Sequence, residues 1–278
     1  MTGYTGRFAP SPTGWLHLGH AFSAITAHDR ARAAGGRFIL RIEDTDRTRC
    51  RPEYEAAIFD DLRWLGLTWD ETWRQSDDSG PYDAALARLA ALGLTYPCRC
   101  TRGDIAAALS APQEGVPLPG PYPGTCRTRP MADRAPGDAI RLHLDRALDS
   151  LTTLPQFTET GPAHAGTHRL VHKALRQSHG DIVLARRDIG PAYHLTVVID
   201  DARQKITEVT RGEDLFDATP LHVLLQTLLA QPTPAYHHHR LIRDDTGKRL
   251  AKRDDARALR RYRSEGATPQ DIRRLIGL

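Results

Sequence analysis

The sequence predicts an α/β protein: a parallel sheet with helical crossovers, one irregular insertion, and a short helical C-terminal segment. Strand-like apolar runs alternate with segments of helical periodicity, the order that a parallel sheet with crossover connections requires. From Tyr96 to about Arg134 this alternation dissolves into Pro, Gly and Cys. A chain of 278 residues suffices for one substantial domain plus an insertion, or for two modest domains.

Thr5 to Phe8 reads as the first strand. Pro10 and Pro12 then forbid helix until about Gly14, and an Ala-rich helical pattern carrying Phe22 and Ile25 runs from Gly19 toward Gly35-Gly36. Arg37 to Ile42 is the second strand, and Pro52 to Leu65 has helical periodicity closed by Gly66. Ser79-Gly80-Pro81 opens a helix through Leu92, ended by Gly93. Regular structure returns at Ile140 to Leu144, Ile182 to Leu184 and Ile206 to Thr210, followed by a helix from Pro220 to Ala230 with Thr219 as its cap. Thr268-Pro269 opens the last short helix. No internal repeat or low-complexity tract stands out.

Net charge is +4, a mild basic excess that permits nucleic-acid contact without demonstrating it. Only Lys173, Lys205, Lys248 and Lys252 are lysines among 38 basic residues, so a lysine that persists in this chain invites a specific chemical reason. No apolar run is long enough to span a bilayer, and the N-terminus lacks a charged-then-apolar leader. The expectation is a soluble, cytoplasmic protein.

The chemistry concentrates in three motifs. In Arg7-Phe8-Ala9-Pro10-Ser11-Pro12-Thr13-Gly14-Trp15-Leu16-His17-Leu18-Gly19-His20, two imidazoles flank the start of a helix. Free backbone N–H groups and the positive end of the helix dipole suit a nucleotide phosphate there. Arg41-Ile42-Glu43-Asp44-Thr45-Asp46 follows the second strand, and ligands of parallel sheets gather at the carboxyl ends of strands. A carboxylate at that place can hold an ammonium group. Asp244-Asp245-Thr246-Gly247-Lys248-Arg249-Leu250-Ala251-Lys252-Arg253 is a cationic stretch in which Lys252 keeps its identity in a chain that otherwise favours arginine.

The first motif resembles the HIGH signature of class I aminoacyl-tRNA synthetases, and RFAPSPTGWLHLGHA resembles the glutamyl and glutaminyl branch in particular. RIEDTD, the segment Asp188-Ile189-Gly190-Pro191-Ala192-Tyr193-His194-Leu195 with Val197 to Asp201, and Arg211-Gly212-Glu213-Asp214-Leu215 fit the same branch. The Lys252 loop stands where these enzymes carry KMSKS, with Arg249 for the first lysine and Ala251 for the serine. The resemblance implies a Rossmann-type parallel sheet in which His17, Gly19, His20 and Lys252 bind ATP, and His17, His20 and Lys252 serve catalysis. It implies a glutamate pocket of Arg7, Ala9, Ser11, Glu43, Tyr193 and Arg211, with Glu43 on the α-amino group. Arginine suits a dicarboxylic amino acid because its planar fork bonds a carboxylate bidentately.

Cys98, Cys100 and Cys126 cluster in the irregular stretch, which in a reducing compartment suggests metal before disulfide. The resemblance supplies Tyr122 of Tyr122-Pro123-Gly124-Thr125-Cys126 as the fourth ligand of one structural zinc; His143 and Asp104 are the alternatives. His237-His238-His239 is internal and strand-adjacent, and reads as structure rather than as a ligand set.

Glutamyl synthetases continue past the cationic loop into anticodon-reading helical domains, whereas this sequence ends at Leu278. The whole chain resembles the glutamyl-queuosine tRNA(Asp) synthetases, a family with the catalytic core and zinc insertion alone. That resemblance implies ATP-dependent activation of L-glutamate, with Mg, and transfer to queuosine at the wobble position of tRNA(Asp). The domain expectation is residues 1–95 and 181–240 as two halves of the catalytic domain. Residues 96–180 form a zinc-binding, RNA-facing insertion, and 241–278 the KMSKS-like loop and helical C-terminus. The alternatives are a shortened synthetase charging the tRNA 3′ end, a non-catalytic tRNA- or glutamate-binding paralogue, and a small-molecule adenylyltransferase.

Overall fold

A computed structural model describes residues 3–101, 103–105, 122–187, 190–242 and 258–278. Strand β1 (Thr5–Phe8) is buried along its whole length, and the Pro-rich turn after it delays helix until α1 (Leu18–Ala33). The buried residues of α1 include Ala21, Phe22, Ala24 and Ile25, the apolar positions of the Ala-rich pattern. Next come β2 (Arg37–Ile42), α2 (Pro52–Trp64) and β3 (Glu71–Arg74). β1, β2 and β3 pair in parallel in that order, which places both crossover helices between parallel strands as expected.

After α3 (Gly80–Ala91) the chain leaves this sheet. β4 (Thr95–Cys98) pairs antiparallel with β5 (Ala139–Leu142), so the irregular stretch opens on a short buried strand. α4 (Leu144–Asp149), β6 (Gln156–Glu159), β7 (Gly166–Arg169), α5 (His172–Ser178), β8 (Val183–Arg186), β9 (Gly190–Pro191) and α6 (Tyr193–Arg203) follow. β8 and β9 complete the antiparallel sheet begun by β4 and β5.

β10 (Glu208–Gly212), α7 (Thr219–Leu228) and β11 (Ala235–His239) rebuild a parallel unit. β6 joins β11 in parallel, with β7 antiparallel beyond it, so this hairpin from within 96–180 belongs to the β10 sheet. β10 lies beside β1, where the Thr207 N–H donates to the Thr5 carbonyl at 2.9 Å. α8 (Leu259–Ser264) and α9 (Pro269–Ile276) pack Leu259, Ile272 and Ile276 into the core around α1 and β2. Thr268 caps α9 in a reciprocal box with Asp271, as its Thr-Pro start implies.

One local expectation is corrected. Thr219 is the first residue of α7 rather than its cap, which is Ala218 with no side-chain bond. The Thr219 hydroxyl accepts instead from Arg211 at 2.7 Å, and a buried guanidinium is the more demanding partner. Among the described residues, no helix is long and apolar enough to cross a membrane.

Candidate active site

A cavity of about 760 Å³ opens at the carboxyl ends of β1 and β10 and the start of α1. It gathers Arg7, Ala9, Ser11, His17, Gly19, His20, Glu43, Tyr193 and Arg211, residues from four separated stretches of sequence. Lys252, Arg249 and the rest of 243–257 lie outside the described residues, as do Asp188 and Ile189. The described ends of that C-terminal stretch border the site: Ile242 lines the cavity, and Ala258 forms a β-bridge with His17.

The two histidines do more than flank the helix. His17 is the cap of α1, its Nδ1 accepting the Gly19 N–H at 3.1 Å, while the His17 N–H donates to His20 Nδ1 at 3.2 Å. With both Nδ1 atoms accepting, each neutral ring carries its proton on Nε2. The rings lie 3.8 Å apart, centroid to centroid, and both line the cavity. Gly19 permits this packing, because a Cβ there would sit 3.0 Å from the His17 ring.

The cations divide into two kinds. Arg7 donates to both oxygens of Asp201, at 3.0 and 3.4 Å, and to the Thr210 carbonyl at 3.2 Å. Arg41, wholly buried, reaches the same Asp201 at 2.7 Å, Gln204 at 2.8 Å and Glu43 at 3.2 Å. Burial raises the Asp201 carboxyl, but the two guanidiniums outweigh it and hold the group below its ordinary range. Burial also pushes the Glu43 carboxyl up, against the pull of Arg41 and Arg7, and pushes the Tyr193 phenol up.

Arg211 is different. It donates to His238 Nε2 at 3.0 Å, His222 Nδ1 at 3.1 Å and Thr219 Oγ1 at 2.7 Å, and no carboxylate of the described residues pairs with it. Arg41, Asp201, His222 and His238 are site residues that sequence reasoning missed. Arg41 and Asp201 sit inside the quoted RIEDTD and Val197 to Asp201 motifs, so an Arg within the apolar run Phe38 to Ile42 and an Asp just past the apolar run Val197 to Ile199 were the available signals.

A smaller cavity of about 360 Å³ shares Ser11, Glu43 and Tyr193 with the first and extends to Asp46, Arg49 and Arg186. Burial raises the Asp46 carboxyl, but bonds from Thr48 and Arg49 outweigh it and hold it at about 2.

In the insertion, the sulfurs of Cys98, Cys100 and Cys126 lie within 4.8 Å of one another. The Tyr122 hydroxyl is 3.4 Å from both Cys98 and Cys100 and accepts the Cys126 N–H at 2.9 Å. Arg141 stacks on the Tyr122 ring at 3.8 Å. Three thiols and a phenol oxygen thus lie close enough together to offer four ligand atoms to one metal ion. Asp104 is bonded to Thr101 and His143 caps α4, whereas the Tyr122 hydroxyl lies at the cluster. His237, His238 and His239 bond separately to Thr160, Glu159 and Ser23.

Residues 4–127 and 167–278 match the family of class I tRNA synthetases (E and Q), catalytic domain, and the chain belongs to that family. A protein of Rhodobacter capsulatus named glutamyl-Q tRNA(Asp) synthetase is 61% identical over 98% of this chain and 99% of its own length. One of the same name from Symbiobacterium thermophilum is 42% identical over 96% of this chain and 83% of its own. Among solved structures, a glutamate tRNA ligase from Elizabethkingia meningosepticum in complex with its amino acid superposes with a TM-score of 0.78 at 28% identity. The match covers 99% of this chain and 60% of that one.

Proposed function

We propose that this chain activates L-glutamate with ATP to glutamyl-adenylate without help from tRNA, then transfers the glutamyl group to the cyclopentenediol of queuosine at the wobble position of tRNA(Asp). The observation that carries the first half is the joint presence, in one cavity, of a phosphate-suited helix start with two imidazoles and a buried guanidinium that has no carboxylate partner among the described residues. The second half rests on the relatives named glutamyl-Q tRNA(Asp) synthetase, which match over nearly the full chain.

In this reading the γ-carboxylate of glutamate meets Arg211, with Arg7 and the Tyr193 hydroxyl beside it and Ala9 and Ser11 on the adjoining wall. Glu43 takes the α-ammonium, which supplies the cation that a buried carboxylate favours. The ATP substrate, with its magnesium, places its phosphates at the start of α1. The Nε2–H groups of His17 and His20 donate to oxygens that gain charge as the glutamate α-carboxylate attacks the α-phosphorus. Lys252 follows the departing pyrophosphate. No enzyme nucleophile is required, because substrate oxygen attacks in both steps. Cys98, Cys100, Cys126 and Tyr122 would hold one structural zinc, which fastens β4 to the turn at 122–126.

The test is transfer of labelled glutamate, with ATP, to bulk tRNA from queuosine-containing cells and from cells unable to make queuosine. Label on the first tRNA alone supports the proposal. Label on both indicates acceptor-end charging, and label on neither, with no pyrophosphate exchange, indicates a non-catalytic paralogue.

A further inference from the structure

The contrast between the two arginines of the glutamate pocket has a structural cause. Arg7 shares Asp201 with Arg41, so its charge is compensated inside the protein. Arg211 is equally buried, yet its three acceptors among the described residues carry no net charge.

The tautomers follow from the hydrogen bonds. An arginine only donates, so His222 Nδ1 must accept, and its proton resides on Nε2, which donates to His194 Nδ1 at 3.0 Å. His238 accepts from Arg211 through Nε2, so its Nδ1–H donates to Glu159 at 2.5 Å. Glu159 is held in turn by the N–H groups of Gly161, at 2.6 Å, and His238, at 2.9 Å. A Cβ at Gly161 would lie 2.2 Å from the His238 carbonyl and 2.7 Å from the Glu159 carboxylate, so this support requires glycine. The fold builds the cradle from adjacent positions: Arg211 and His238 are register partners on β10 and β11, while Thr219 and His222 are one turn apart on α7. The carboxylate of Glu159 is thereby kept one imidazole away from the guanidinium.

We infer that His222, with Thr219 and His238, is a specificity-determining positioning residue: a neutral cradle that fixes Arg211 in place while leaving its charge for the side-chain carboxylate of the amino-acid substrate. This rests on the glutamate pocket proposed above. A carboxylate built into the cradle would compensate Arg211 internally, remove the advantage of a charged substrate, and leave a neutral amide side chain relatively better accepted.

The experiment is ATP–pyrophosphate exchange by the full chain, with glutamate and with glutamine, for wild type, His222→Glu, His222→Asn and Thr219→Asp. Thr219→Asp places its carboxylate at a helix N-terminus, where the dipole favours it, and so provides a second test if His222→Glu fails to fold. In the carboxylate variants KM for glutamate should rise roughly tenfold to a hundredfold, the worth of a charge-assisted hydrogen bond, with a smaller change in kcat. The glutamate-to-glutamine ratio of kcat/KM should fall by a similar factor. His222→Asn, whose amide oxygen can accept from Arg211, should retain most of that ratio. Folded carboxylate variants that discriminate like wild type would overturn the inference, as would a loss of discrimination in His222→Asn as large as theirs. Wild-type protein without glutamate-dependent exchange would instead overturn the pocket assignment itself.

Discussion

Asp201→Asn tests whether one carboxylate organises the cationic half of the site. Asp201 accepts from Arg7 at 3.0 and 3.4 Å and from Arg41 at 2.7 Å, all in the buried interior. Two charges about 4 Å apart attract by ~4 kcal/mol at an effective dielectric near 20, and Asp201 serves two guanidiniums. Mutual repulsion of Arg7 and Arg41 and the desolvation of all three groups offset much of that sum. Removing one partner of a buried pair costs about 3–5 kcal/mol, because it strands the other charge; here it strands Arg7, while Arg41 keeps Glu43 at 3.2 Å. The asparagine oxygen still accepts one bond, which favours the lower part of that range. Urea unfolding should therefore show a loss of about 3 kcal/mol, with Tm lower by on the order of 10 °C. The acid limb also changes. Because the folded Asp201 carboxyl is held below its ordinary 3.8, its contribution is present above that pH and disappears as pH falls through the folded value. The variant should lose that portion of the acid sensitivity. A stability change within about 0.5 kcal/mol would refute the argument, since that is the usual effect of an ordinary surface substitution.

Lys252→Ala should reduce glutamate-dependent pyrophosphate exchange far more than it reduces thermal stability; equal exchange would remove this lysine from the mechanism. Burial pulls His222 well below its ordinary 6.5 and His238 down to about 4, with the Arg211 charge next in each case. The unfolded chain then binds more protons below pH 6.5, and stability should fall by up to about 1.4 kcal/mol per pH unit for each ring as pH drops from there toward 4. Melts at pH 7, 6 and 5 measure the slope, and a flat profile would mean these rings are not held neutral. Tyr122→Phe should lower bound zinc measured by elemental analysis and weaken transfer to tRNA, with pyrophosphate exchange near wild type; full zinc content in the variant would exclude the phenol as a ligand.

The legible parts of the fold were those punctuated by Pro and Gly. Pro10 and Pro12 set the late start of α1, Gly66 and Gly93 follow the ends of α2 and α3, and Thr268-Pro269 marks α9. The β6–β7 hairpin was not legible. Its strands are short, and Gln156, Thr158 and most of Gly166–Arg169 face outward without an apolar alternation to announce them. Within the site, Arg7, His17, His20, Glu43, Tyr193 and Arg211 line one cavity, but their partners did not follow from the motifs. Thr219 reads locally as a helix cap, and only the tertiary fold brings Arg211 to it. His17 and His20 read as ligands for an anion, and their spacing also makes a capping box, hidden because the usual signature has Ser or Thr with Glu or Gln.

The histidine pair shows why folding and chemistry coincide at this turn. A helix start leaves backbone N–H groups unsatisfied, and a nucleotide site needs some of them free for phosphate. Capping with Asp or Glu would satisfy the helix but place a negative charge where the phosphates must sit. An imidazole can accept the helix N–H through Nδ1 without adding a negative charge, so a neutral ring caps the helix and, in the function proposed above, leaves the turn suited to phosphate. The same logic recurs at Arg211, where His222 and His238 accept from a buried cation without cancelling its charge. Where the protein needs a cation compensated, at Arg7 and Arg41, it uses Asp201 instead. The choice between imidazole and carboxylate as hydrogen-bond acceptor thus decides which charges belong to the fold and which are left for substrate.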